Sequence, residues 1–298
     1  MILLQSGFVD VLKPKKGVFS YYELFLVQYS LITVTAIMSQ GSFDSENFEN
    51  INEEDFDKNI DELIKSISLG AVKKRQIYPL LCFSMGVDPG ETVQETEERV
   101  FATDFFTENA KKYSLSNREM ILRGLNLSAF LNYFFLLEDS LKKIYIDLIK
   151  PTNKFIKGSE VIDVCLREII SMSDVYDCFE KELHKRSKVI PNIKSLSALW
   201  GILNLIRNQI THANGFYDKT AKKSFYRRSE DFLKQLRENS DCVLSISEIS
   251  NSFLRYENQI NSDGFLIIDD EIENIIRNIS VFVMESLYVC NLLKKNKS

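Results

Sequence analysis

Residues 196–215 read Leu196-Ser197-Ala198-Leu199-Trp200-Gly201-Ile202-Leu203-Asn204-Leu205-Ile206-Arg207-Asn208-Gln209-Ile210-Thr211-His212-Ala213-Asn214-Gly215. Laid out at 100° per residue, Leu196, Leu199, Trp200, Leu203, Ile206 and Ile210 form one apolar stripe, the signature of an amphipathic α-helix. Gly215 is placed to cap its end. Arg207 falls inside the stripe, and a guanidinium facing a core is costly unless an anion satisfies it. His212 is one of two histidines in 298 residues, so chemistry that titrates near neutrality has few other places to reside. It shares a face with Asn208 but lies about 140° round an ideal helix from Arg207. The two side chains converge only if the last turn unwinds or if two copies meet across a two-fold axis.

Working outward, the strongest periodicity runs over 117–149, where Leu127, Phe130, Leu131, Phe134, Leu137, Leu141, Tyr145 and Leu148 recur at three and four until Pro151. Glu138 sits in that stripe. Two opposite charges, Glu138 and Arg207, thus occupy apolar faces of helices expected to pack in a four-helix core. Their pairing within hydrogen-bonding distance would relieve both. A second helix is expected over Val161 to Leu183, with His184 at its end beside a basic run, where a histidine complements the helix dipole. A helix is also expected over 269–294. Val243–Glu248 and Phe265–Ile268 are candidates for short strands in a hairpin-like insertion around Ser262-Asp263-Gly264.

Composition sets the class. Five prolines and 11 glycines in 298 residues favour long helices over an all-β chain. The five cysteines include no C-x-x-C pair, which suits reduced buried thiols and neither a disulfide framework nor a zinc site. Residues 1–115 carry 11 Lys and Arg against 18 Asp and Glu, whereas 116–298 carry 26 against 24. The acidic excess therefore lies in an N-terminal region (1–115), distinct from the C-terminal domain (116–298). Leu24 to Met38 is apolar but short and interrupted by Gln28, Ser30, Thr33 and Thr35. It reads as a core helix, neither a membrane span nor a signal sequence. Gly41 to Glu62 is acidic, either a solvated loop running into a helix or a lid over a basic groove. Short helices are expected at 55–68, 71–85 and 92–112.

Arg207-Asn208-x-x-x-His212 at the end of an apolar helix, followed by a small turn with glycine, resembles the signature of the HEPN superfamily. The resemblance covers residues 116 to 298. It implies an all-α, antiparallel helical bundle, here with a helical N-terminal extension. It also implies a metal-independent endoribonuclease of the kind found in toxin–antitoxin and anti-phage systems, with a composite cleft formed by a homodimer. The chemistry is consistent with the residues. An RNA supplies its own 2′-hydroxyl nucleophile, so no metal or cofactor is required. His212 suits the proton transfers, Arg207 the charge developing on the phosphate, and Asn208 the orientation of His212 or of a phosphate oxygen. One histidine cannot easily serve as both base and acid, and a dimer supplies two. The expected products are a 2′,3′-cyclic phosphate, or a 3′-phosphate, and a 5′-hydroxyl.

From 216 to 237 seven Lys and Arg face three acids. Lys219, Lys222, Lys223, Tyr226, Arg227 and Arg228 interleave cations with aromatics, as a single-stranded RNA would need, though a solvated helix face has the same composition. The rival readings are a non-catalytic RNA- or nucleotide-binding module and an interaction subunit of a larger defence complex. A cytoplasmic protein with RNA, and an antitoxin or complex subunit, as partners is expected, without membrane association.

Overall fold

The computed structural model describes residues 11–44, 110–152, 155–187, 189–238 and 246–295. The fold is all-α. Its helices are α1 (Ser20–Asp44), α2 (Asn117–Ile149), α3 (Arg167–Met172), α4 (Tyr176–Arg186), α5 (Ile193–Ala213), α6 (Lys219–Glu238), α7 (Ile246–Asp263) and α8 (Asp270–Lys295). A 3-10 turn (Gly158–Glu160) and a π-helical turn (Val161–Leu166) lead into α3. The chain's contacts divide into two units, one of Met1–Ile37 with Asn126–Ser298, the other Met38–Leu125. α1, as far as Ile37, belongs with the C-terminal helices because its aromatic residues pack there.

The first unit is built round α8. From Ile272 to Tyr288 every side chain of this helix except Asn274 is buried, so it is enclosed on nearly all sides and serves as the shaft of the core. Asp269 caps it by accepting the Ile272 N–H at 3.1 Å. Asp270, Glu271 and Glu273 in its first turn, and Lys294 and Lys295 in its last, match the helix dipole. α1 docks through Tyr22, stacked on Tyr288 with ring centroids 4.6 Å apart, and through Phe25 and Tyr29. Thr33 and the Tyr133 hydroxyl of α2 share a 2.8 Å hydrogen bond. α2 buries Phe130, Tyr133, Phe134, Leu137 and Leu141, and Phe134 stacks on Trp200 of α5 at 4.3 Å. α5 packs on α6, α6 on α7, and α4 on α8.

Two expectations about local structure are corrected. The single helix read over 161–183 is broken. Asp174 adopts a left-handed φ of 51°, and the Val175 N–H closes on the Ile170 carbonyl at 3.0 Å, a C-terminal cap that aspartate tolerates better than most residues. The strands proposed near 243–268 are also absent from the described residues. Residues 243–245 lie outside them, and Ile246–Asp263 is helical because Ile249, Phe253, Tyr256 and Ile260 recur at helical spacing and are buried. Only an isolated antiparallel bridge between Phe216 and Phe265 remains. Beyond Asp44 the acidic 41–62 segment lies outside the described residues, as do the helices proposed at 55–68 and 71–85 and most of that at 92–112. The described cysteines, Cys165, Cys178 and Cys290, are free.

Three helices, Ser20–Ser39, Glu119–Ile149 and Asp270–Lys295, are long and apolar enough to cross a membrane by length and composition alone. For the last, 78% of the apolar window is buried inside the protein, so its hydropathy is that of a core helix. For α1 the share is 22%. The core-helix reading of 24–38 therefore holds for only one of its faces.

The shaft carries a buried ion pair. Arg277 Nη1 lies 3.5 Å from Glu273 Oε2, with both side chains almost fully buried. Burial pushes the Glu273 carboxyl up to about 7, against the pull of Arg277 and with a smaller push from Asp270. Folding thus raises the pKa of an acid. Between roughly pH 4.5 and 7 the native state holds a proton that the unfolded state has released, so this group's contribution to stability falls as pH rises. Urea unfolding of the wild type and Glu273→Gln should show that the wild type loses ~2 kcal/mol more than the variant across that interval. Parallel pH profiles would count against the shift.

Candidate functional site

α5 starts at Asn192, whose side chain accepts the Ser195 N–H at 2.9 Å. It stays α-helical through Ala213, so the last turn does not unwind ahead of His212. Asn214 (φ 50°) and Gly215 (φ 83°) are both left-handed, and the Gly215 N–H returns to the Gln209 carbonyl at 2.8 Å. Gly215 is fixed by more than its φ, because a Cβ there would meet the Phe265 ring at 2.5 Å. The main chain beyond is clamped by Tyr217 N–H on Gly264 O at 2.8 Å.

Arg207 points inward. Its Nη2 donates to Glu138 Oε2 at 2.8 Å and its Nη1 to Asn208 Oδ1 at 2.9 Å. The guanidinium lies 5.0 Å from the Phe134 ring centre and 5.5 Å from that of Phe135, within cation–π range. The pairing expected from periodicity is formed. Glu138, 5% exposed, also accepts from Lys142 one helical turn on, at 2.5 Å. Lys142, Glu138 and Arg207 thus make a chain of alternating charge with one positive charge in excess. Arg207 Nε and the neighbouring Asn204 Oδ1 are buried without a hydrogen-bond partner among the described residues.

Gly158 closes this cluster. A Cβ at this position would collide with Arg207 Nη2 and come within 2.9 Å of Glu138 Oε1 and 3.0 Å of Asn204 Oδ1. Its carbonyl accepts the Trp200 indole N–H at 2.8 Å, which pins the 3-10 turn over the charge pair. Sequence reasoning missed Gly158, Asn204 and Lys142. Lys142 was accessible from its position four residues after Glu138. Nothing local marks Gly158, whose importance comes from a tertiary approach.

His212 faces the other way. It is exposed and makes no hydrogen bond among the described residues. Asn208 turns its Oδ1 to Arg207 and not to the histidine it was expected to orient. Within one protomer, then, Arg207 and Asn208 come together and His212 does not join them. His184 sits in the last turn of α4 beside Lys185 and Arg186, where dipole complementarity accounts for it. No group of three or more His, Cys, Asp or Glu among the described residues could hold a metal ion.

The basic residues ride on α6, whose Ala221, Phe225, Phe232, Leu233 and Leu236 face the core. Lys219, Lys223, Tyr226 and Arg227 are exposed, though the Tyr226 hydroxyl donates to Glu230 at 2.9 Å. Lys222 reaches the Asn261 carbonyl at 3.3 Å. Between α6 and α7 lies a cleft of about 260 Å³ lined by Lys222, Lys223, Tyr226, Glu257 and Asn261. Burial, with Glu230 nearby, raises the Glu257 carboxyl, so the cleft is not uniformly cationic. Arg228 departs from the expected RNA-facing set. It donates to the Gly201 carbonyl of α5 at 2.9 Å and its Nε is buried; burial, followed by the charge of Arg227, lowers its pKa. It ties α6 to α5. Compared with family models, curated proteins and solved structures, the chain finds no match.

Proposed function

We propose that this chain is a metal-independent endoribonuclease of HEPN-like design, a toxin or anti-phage effector acting on RNA in the cytoplasm as a homodimer. The observation that carries this reading is the division of labour at the end of α5. Arg207 is held in a fixed pose by Glu138 and two aromatic rings, while His212 is exposed on the other side of the helix end. A fixed guanidinium suits a developing phosphorane charge, and an exposed imidazole suits proton transfer. Since they diverge in one protomer, a working site would draw on two. The exposed Lys219, Lys223 and Arg227 would then follow the RNA backbone.

A second reading is favoured by one feature. The Arg207 side chain is only 13% exposed and already donates to Glu138 and Asn208, as in a structural ion pair. The protein would then be a non-catalytic RNA- or nucleotide-binding module, or a subunit of a larger defence complex.

Incubation of the purified protein with single-stranded RNA in EDTA separates the two. Cleavage that leaves a 2′,3′-cyclic phosphate and a 5′-hydroxyl, and that stops when the nucleotide at the cut is 2′-deoxy, is the expected result. Binding without cleavage would favour the second reading. Metal-dependent cutting, or equal cutting of DNA, would exclude the proposed chemistry.

A further inference from the structure

The outward face of α1 is apolar in a particular pattern. Leu24, Val27, Leu31 and Val34 are 55%, 60%, 63% and 54% exposed, at successive spacings of three, four and three, and the same period continues in sequence to Met38. The opposite face, Tyr22, Phe25, Tyr29 and Thr33, is the one buried against the protein's own core. A stripe at alternating threes and fours is the a/d seam of a helix that packs lengthwise on another helix.

We propose that this seam is a docking surface for the α1 helix of a second copy of the chain. Its width argues for a helix and against a lipid surface. On an ideal helix the four positions fall within about 80°, and Glu23, Gln28, Ser30 and Thr35 close the stripe on both sides with polar groups. A helix lying in a membrane interface presents a broader apolar face bordered by cations, and no Lys or Arg lies along α1. Its charge argues for self-pairing. Glu23 is the only charged flanking residue, so two copies meet without like-charge repulsion. Apart from Glu23, the flanks carry none of the e and g charges by which a coiled coil selects a different partner.

Area and rigidity are consistent with this. The four side chains offer on the order of 400 Å² of accessible surface, about half of one side of a standard interface. An adjoining groove of about 300 Å³, lined by Val11, Pro14, Leu26, Val27, Ser30 and Val34, can accept side chains of the other copy. α1 is already folded and anchored, so pairing does not bear the cost of forming the helix. Leucine at the a positions with valine at d disfavours a parallel two-stranded coil. An antiparallel pairing sets the large residues of one copy against the small ones of the other.

The test is the mass of the full-length protein in solution, by analytical ultracentrifugation from low micromolar to about 100 µM. The wild type should sediment as a dimer. Leu31→Glu/Val34→Glu should sediment as a monomer with unchanged far-ultraviolet circular dichroism, because both positions are exposed, and its thermal midpoint should no longer rise with protein concentration. A monomeric wild type at the highest concentration would overturn the proposal, as would a variant that stays dimeric. Flotation with phosphatidylglycerol–phosphatidylcholine vesicles addresses the lipid alternative. A monomeric wild type that floats, and a variant that does not, would assign the face to a membrane and overturn the pairing.

Discussion

Glu138→Ala should destabilise the folded protein by about 3 kcal/mol, the scale of breaking a buried ion pair by removing one partner. Glu138 is nearly inaccessible and accepts from both Arg207 and Lys142. Without it the guanidinium stays trapped beneath Gly158, between Phe134, Phe135 and Asn208, with no anion to neutralise it. Glu138→Gln keeps an acceptor and the shape, and should lose less. A double-mutant cycle with Arg207→Met isolates the coupling: if the pair is the source of the loss, the double variant recovers part of it. Urea unfolding reads all four species. A loss under 0.5 kcal/mol for Glu138→Ala, the range of an ordinary surface substitution, would mean that water already screens the pair. RNA cleavage should fall with Glu138→Ala even under conditions where the variant is folded, because the guanidinium loses its fixed orientation.

His212→Ala should behave in the opposite way. The side chain is exposed, so stability should change by no more than about 0.5 kcal/mol. Cleavage should fall by at least about 100-fold if the imidazole moves protons in the reaction. Mixing this variant with the wild type tests the composite site. In a mixed dimer the shared cleft would hold one intact His212 where base and acid require two, so the mixed dimer should be inactive. After subunit exchange of equal amounts only about a quarter of the dimers are fully wild type, so activity should fall to about half that of the unexchanged mixture. Activity unchanged by demonstrated exchange would place a complete site in a single protomer or remove His212 from the chemistry.

The Glu138–Arg207 contact was legible in the sequence because two independent periodicities each placed a charge where an apolar side chain belonged, and the charges were of opposite sign. The limits of α2 were legible for a similar reason, a long stripe ended by Pro151. The errors have a common cause. Val243–Glu248, read alone, is a short apolar run that suits a strand. The helical spacing that defines α7 only becomes visible when Ile249, Phe253, Tyr256 and Ile260 are read with it. The break at Asp174 depends on a left-handed residue that need not be glycine. The inward turn of Arg228 depends on Gly201, 27 residues away, offering a carbonyl close to α6. Gly158 over Arg207 is likewise a matter of tertiary approach, and no pattern along one helix encodes it.

The central position of α8 bears on how this protein comes into being on the ribosome. The helix is translated after every other described element, yet Tyr22, near the other end of the chain, stacks on its Tyr288. Until residues 270–295 have emerged, α4 has no shaft to close upon, and the Tyr22 ring of α1 lacks its stacking partner. A nascent chain halted before α8 therefore holds residues 207–212 but lacks the scaffold that would present them. For a protein whose proposed substrate includes the cell's own RNA, late closure would keep incomplete chains harmless.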